Sequence, residues 1–162
     1  MTTARTIIAL DPGLASGCAV LRLDEDRSLT LLESHELPVE ETWAWLGQSL
    51  GNYSGDLLDV GVQQAGVELV AETFIITTET AKKSQSPWSL RLLGVAEYLA
   101  HAYAVPFIEQ TPSQAKRLVT NDMLRAGGVW HKGGEGHAND AIRHAVYRLL
   151  TSGWSGEGVV PV

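Results

Sequence analysis

Hydrophobic and polar positions divide this chain into short apolar runs followed by longer stretches of helical period. Thr6 to Leu10 is β-branched and apolar, the pattern of a buried strand, and Pro12-Gly13 stops it. Gly17–Leu23 and Ser28–Glu36 read as two more strands. The polar turn Asp24-Glu-Asp-Arg27 joins them as an antiparallel hairpin, and the first strand extends the hairpin into a three-stranded meander. Pro38-Val-Glu-Glu-Thr-Trp43 opens a helix, with proline and acids placed in its first turn. Gly51–Gly55 is expected to interrupt this helix, and a second helical piece is expected over 56–64. Val67–Ala71 is apolar at most positions, as in a central strand covered on both faces. A polar connection rich in threonine and serine fills 73–86.

The second half alternates helix and strand. Pro87–Tyr103 carries the strongest helical pattern, with an apolar surface that includes Leu90, Leu93 and Tyr98, and Gly94 permits a close approach. Val105–Ile108 is a short strand. Thr111-Pro-Ser-Gln is an N-cap followed by proline at the first helical position, opening a helix through Val119. Asn121 or Asp122 caps another short helix. Five glycines between 127 and 136 predict a flexible loop. His137–Leu150 is amphipathic, with Ala141, Ile142, Ala145, Val146, Leu149 and Leu150 toward the core. From Ser152 the chain is glycine-rich and is expected to form a mobile tail, 152–162.

The order βββ-α-β-α-β-α predicts an α/β fold: a mixed five-stranded sheet, antiparallel over its first three strands, with helices on both faces. At 162 residues the chain makes one domain, 1–151, without repeat or linker. No apolar run has membrane-spanning length and no signal peptide is evident, so a cytoplasmic protein is expected. The single cysteine, Cys18, has no partner for an internal disulfide and reads as a small buried residue. Net charge is −7, which weighs against nucleic acid as a partner. Its distribution changes that picture: residues 1–72 hold 12 acids and 3 bases, whereas 73–162 hold 7 acids and 9 bases. A phosphate-binding face built from the second half would leave the acidic half turned away.

Four side chains stand out as candidate metal ligands. Asp11 ends the first strand, Glu72 ends the later apolar strand, and His137 with Asp140 opens the last helix. Asp11 before Pro-Gly also suits a plain turn. Glu72 is harder to explain that way, because a buried carboxylate without a partner is costly. His137 and Asp140 lie three apart, on one helical face. Carboxylates gathered at one point repel unless cations sit between them. Two Mg²⁺ or Mn²⁺ ions ~3.5–4 Å apart would activate a water and stabilise a leaving oxygen in phosphodiester hydrolysis.

The Asp-Pro-Gly after the first strand, the glutamate ending a later strand and the His-x-x-Asp opening the last helix together resemble the RuvC-type Holliday-junction resolvases of the RNase H-like superfamily, over roughly residues 5–150. The resemblance implies a homodimeric nuclease that nicks two strands of a four-way DNA junction with divalent metal. It places Asp11, Glu72, His137 and Asp140 as metal and catalytic positions, and Lys116 near the scissile phosphate. Phe74, or Ile75 beside it, falls near an aromatic that the family sets against junction bases. The helix over 87–103 is similar to the one used for subunit pairing. Lys82, Lys83, Lys116, Arg117 and Lys132 would contact phosphates. The family's second lysine has no counterpart in 121–124, which leaves Arg125 or Lys132 for that task.

Other readings of the same residues remain open. The fold suits a nuclease acting on RNA or on other branched DNA. It also suits a DNA-binding module without catalysis, although a carboxylate cluster without cations would be unstable. An ATP-binding fold with Asp11–Gly17 as phosphate loop needs two lobes, and the chain has length for one.

Overall fold

The computed structural model describes residues 4–55, 66–76, 78 and 87–159. The expected helical piece over 56–64, and Lys82 and Lys83 within the 73–86 connection, lie outside these residues. Five strands form one sheet: β1 (Arg5–Asp11), β2 (Ala15–Leu23), β3 (Leu29–Pro38), β4 (Val67–Glu72) and β5 (Phe107–Gln110). Their order is β3-β2-β1-β4-β5, antiparallel through the first three and parallel from β1 to β4 to β5. The helices whose bounds lie among the described residues are α1 (Val39–Ser54), α2 (Trp88–Ala102), α3 (Pro112–Leu118), α4 (Asn121–Ala126) and α5 (His137–Thr151).

Alternation along the strands sorts their side chains between two cores. Ile7 and Ala9 of β1, Val70 of β4 and Ile108 of β5 pack under α5 with Ala141, Ile142, Ala145 and Leu149. Ile8 and Leu10, with Leu69 and Ala71, face the other way onto Trp45, Leu46 and Leu50 of α1 and Leu93, Ala96 and Ala100 of α2. Cys18 lies fully buried in this second core, and burial pushes its thiol up to about 12, so it stays protonated. Among the described residues no helix is long and apolar enough to cross a membrane.

Several boundaries differ from the sequence reading, each for a physical reason. α1 runs unbroken through Gly47 and Gly51 to Ser54. The burial of Trp45, Leu46 and Leu50 outweighs a glycine cost of about 1 kcal/mol each. β5 starts two residues late because Pro106 lacks an N–H; its carbonyl instead accepts from Leu69 N at 2.9 Å. Thr120, not Asn121 or Asp122, caps α4, its hydroxyl accepting from Met123 N at 3.3 Å. The glycine loop is tied down: Val129 is buried, Asn139 bonds the backbone of His131 in both directions, and Arg125 lies over the Trp130 ring. The segment after α5 is seated too, since Trp154 and Val159 enter the α5-side core. An apolar side chain that finds a core site holds even a glycine-rich segment in place.

At the end of the sheet away from Asp11, Glu68 accepts from Arg5 at 2.6 Å and from Arg148 at 2.5 Å. This ties β1 and β4 to the C-terminal turn of α5. Burial works to raise Glu68, but the bonds and charges of the two arginines outweigh it and hold the carboxyl below its ordinary 4.5. Its contribution to stability is therefore present above pH 4.5 and is lost as pH falls through the lower folded value. Glu68→Gln is expected to cost about 1–2 kcal/mol at neutral pH. Urea midpoints of the variant and wild type should converge as pH falls below 4.5 through the lowered folded value.

Candidate active site

The sheet register assembles the site on a single row. Asp11 pairs with Gly17, and Gly17 pairs with Glu36. Leu10 pairs with Ala71, so Asp11 and Glu72 end neighbouring parallel strands side by side; Glu72 pairs with Gln110. Residues opposite one another in a sheet share a face. Asp11, Glu72 and Gln110 continue the alternation of Ile7 and Ala9, Val70, and Ile108, so they face α5. His137, Asp140 and His144 are spaced to form one stripe of that helix. His137 Nδ1 lies 3.0 Å from Asp11 Oδ2. His144 lies 2.8 Å from Glu72 Oε2 through Nε2 and 2.8 Å from Gln110 Oε1 through Nδ1.

Two features let α5 come so close. Gly17 is the first: a Cβ there would lie 1.8 Å from the carbonyl oxygen of His137. Glu36 is the second. Its carboxylate accepts from the backbone N–H groups of Glu135 and Gly136 at 2.7 Å each and of Ala138 at 3.3 Å. Gly136, the N-cap, has no side chain to do this work, so a carboxylate from β3 satisfies the exposed amides and meets the positive helix end. Burial opposes the charge on Glu36, but the three amides prevail and lower its pKa.

Electrostatics at the row are unbalanced. Burial above all, then the charge of Glu72, pushes Asp11 up to about 6; Asp140 adds to this and His137 counters it. Burial works against a charged His137, but its bond to Asp11 and the charges of Asp11, Glu36 and Asp140 leave its pKa raised. Asp140 is differently placed. Lys116 Nζ lies 3.0 Å from its Oδ2, and Arg143 donates to its Oδ1.

The four expected ligands thus gather at one end of the sheet, but as hydrogen-bonded pairs and not as a closed ligand shell. Among the described residues no three of His, Cys, Asp or Glu lie close enough to hold an ion together. The Asp11–Glu72 side does suit a hard divalent cation. It offers carboxylate oxygens on adjacent strand ends, and their mutual repulsion is what a cation relieves. Of the expected DNA contacts, Lys116 reaches the site, whereas Arg117 and Lys132 are exposed away from any ion pair among the described residues. Phe74 is half-buried against the α1/α2 core, and Ile75 beside it is exposed.

Sequence reasoning missed Gly17, Glu36, Gln110, Arg143 and His144. His144 left a signal, standing seven residues after His137 within an apolar stripe. Glu36 and Gln110 left none, because their roles exist only once register is set.

An antiparallel hairpin meander followed by parallel strands, with acids at the strand ends beneath a C-terminal helix, is the RNase H-like fold. In particular it is the fold of RuvC. The structure of Thermus thermophilus RuvC in complex with Holliday junction substrate matches with a TM-score of 0.64 at 16% identity, covering 91% of this chain and 94% of that one. A second Thermus thermophilus RuvC structure matches with a TM-score of 0.63 at 14% identity, covering 91% and 95%. No protein-family model and no curated protein sequence matches the chain.

Proposed function

We propose that this chain is a divalent-metal-dependent endonuclease that resolves four-way DNA junctions by phosphodiester hydrolysis, acting as a homodimer. The observation that carries the reading is the side-by-side placement of Asp11 and Glu72 under His137 and Asp140, in a fold shared with a junction-bound RuvC. Asp11 and Glu72 would hold Mg²⁺ or Mn²⁺, with His137 and Asp140 completing its surroundings. The metal would polarise a phosphoryl oxygen and make a bound water nucleophilic near neutral pH. His137, tied to Asp11 and with a raised pKa, is placed to hold or pass a proton at Nδ1. Lys116 is half-exposed and can leave Asp140 for a phosphate oxygen. Arg117 and Lys132, with Lys82 and Lys83, would add sequence-independent phosphate contacts, and Phe74 would meet junction bases. With a net charge of −7 such binding would depend on the basic second half, and its phosphate contacts would make it sensitive to salt.

The test is cleavage of a labelled synthetic four-way junction, with linear duplex, a fork and structured RNA in parallel, under Mg²⁺, Mn²⁺ or EDTA. Metal-dependent, paired nicking of the junction is expected. Cutting confined to RNA or forks would keep the metal chemistry and replace the substrate. Junction binding with no cutting of any substrate would favour a non-catalytic module. Sedimentation at micromolar concentration should give a mass near twice 17.5 kDa.

A further inference from the structure

The carboxylates of the row differ in what already neutralises them. Among the described residues, Asp11 and Glu72 are met by imidazoles, His137 and His144, and by no lysine or arginine. Asp140 is met by two cations. Lys116 is the exposed one. Arg143 is not: it is nearly buried, and each of its nitrogens has a fixed acceptor. Nε donates to the carbonyl of Val119 at 3.0 Å, Nη2 to Asn121 Oδ1, and Nη1 to Asp140 Oδ1. A guanidinium keeps its charge at any working pH, and a three-point clamp denies it another rotamer. It also lines a cavity of about 210 Å³ bounded by Trp130, His137 and Asp140, so its charge faces whatever enters beside the row.

A second divalent ion on this side would need the carboxylate that Arg143 and Lys116 occupy, and would sit against a buried positive charge. We propose that Arg143 stands in for one ion of a two-ion site, so that the chain works with a single divalent ion per active site, held by Asp11 and Glu72. Arg143 then does two things. It positions Asp140, and it supplies without metal the positive charge that a second ion would bring to the phosphate. This inference takes the location of the metal from the nuclease reading; the number of ions is independent of it.

The test counts Mn²⁺ on the full chain, alone and bound to a four-way junction, by equilibrium dialysis and low-temperature electron paramagnetic resonance. One Mn²⁺ per chain with the hyperfine spectrum of an isolated ion is expected, lost in Asp11→Asn. Below saturation, cleavage should rise with the first power of Mn²⁺ concentration. Arg143→Gln should admit a second, spin-coupled Mn²⁺, steepen that dependence toward the second power, and slow cleavage at low Mn²⁺ by about tenfold or more. Arg143→Lys, which keeps the charge, should retain one ion. Two coupled ions in the wild type would overturn the inference, as would a folded Arg143→Gln with unchanged stoichiometry and metal dependence. If Arg143→Gln does not fold, the wild-type count decides alone. A chain that binds one Mn²⁺ and cuts no nucleic acid would sink the nuclease reading and leave the single-ion site standing. A chain that cuts junctions with two ions would do the reverse.

Discussion

Asp11→Asn should abolish metal-dependent junction cleavage, by about 10³-fold or more, equivalent to about 4 kcal/mol of transition-state stabilisation. The same change should make the metal-free protein more stable. Asp11 is the carboxylate that burial and Glu72 push from 3.8 to about 6. A raised folded pKa means that the folded state prefers the protonated form. The stability gained from this is complete below 3.8 and is lost as pH rises through about 6. At neutral pH the ionised Asp11 therefore works against folding by up to about 3 kcal/mol. An asparagine carries no charge and still offers an oxygen to His137, so a gain of about 2 kcal/mol is expected at pH 7 in EDTA. The gain should vanish below about pH 4, where both side chains are neutral. Saturating Mn²⁺ should stabilise the wild type and leave the variant unmoved, reversing the order of the two. Single-turnover cleavage and urea titrations across pH, with and without metal, measure all of this. Equal stability of the two proteins in EDTA at neutral pH would refute the account of strain at the row.

Gly17→Ala should cost about 3 kcal/mol or more, although it adds one methyl group to a strand. The new Cβ would lie 1.8 Å from the carbonyl oxygen of His137, 2.2 Å from its carbon and 2.9 Å from the nitrogen of Ala138. These are backbone atoms at the start of a helix, and no rotamer relieves the overlap. α5 must withdraw, which parts His137 from Asp11 and Ala138 from Glu36. Both stability and metal-dependent cleavage should therefore fall together. Gly47→Ala is the control: it has open space, lies within α1, and should stabilise by up to about 1 kcal/mol. Denaturant midpoints of the two variants should move in opposite directions.

Much of the architecture was legible because it follows from local periods. The β1 run, the hairpin, the β4 run and the α5 stripe each carry their type in six to fifteen residues, and their order leaves few ways to stack them. Asp11, Glu72, His137 and Asp140 were legible as a set because each marks the end of such an element. What was not legible depends on pairing across the chain. The register of β5 against β4 sets Gln110 opposite Glu72, and neither run carries that register in its own residues. Arg143 reads in the sequence as one more polar residue of a helix; its clamp exists because α3 and α4 bring Val119 and Asn121 to it. Trp154 was hidden by the glycines around it, which say nothing about where an indole can go.

The hairpin contains one irregularity with a consequence for descent and design. Leu21 pairs with Leu31 and Val20 with Glu33, so Leu32 is an extra residue in β3, and it is exposed. Before it, Leu29 and Leu31 face the α5-side core. After it the parity is reset: Glu33 turns to Trp45 and Tyr53 on the α1 side, and Glu36 turns to the start of α5. β3 is thus two instruments in one strand, a packing half and a capping half, with Leu32 as the clutch between them. A regular ladder of the same length would set Leu32 opposite Val20 and Glu36 opposite Ser16, turning the capping half onto the wrong face, whereas deleting Leu32 would leave both halves seated. The bulge, and not the length of the strand, is therefore what keeps Glu36 on the face where it can hold the helix over the acids.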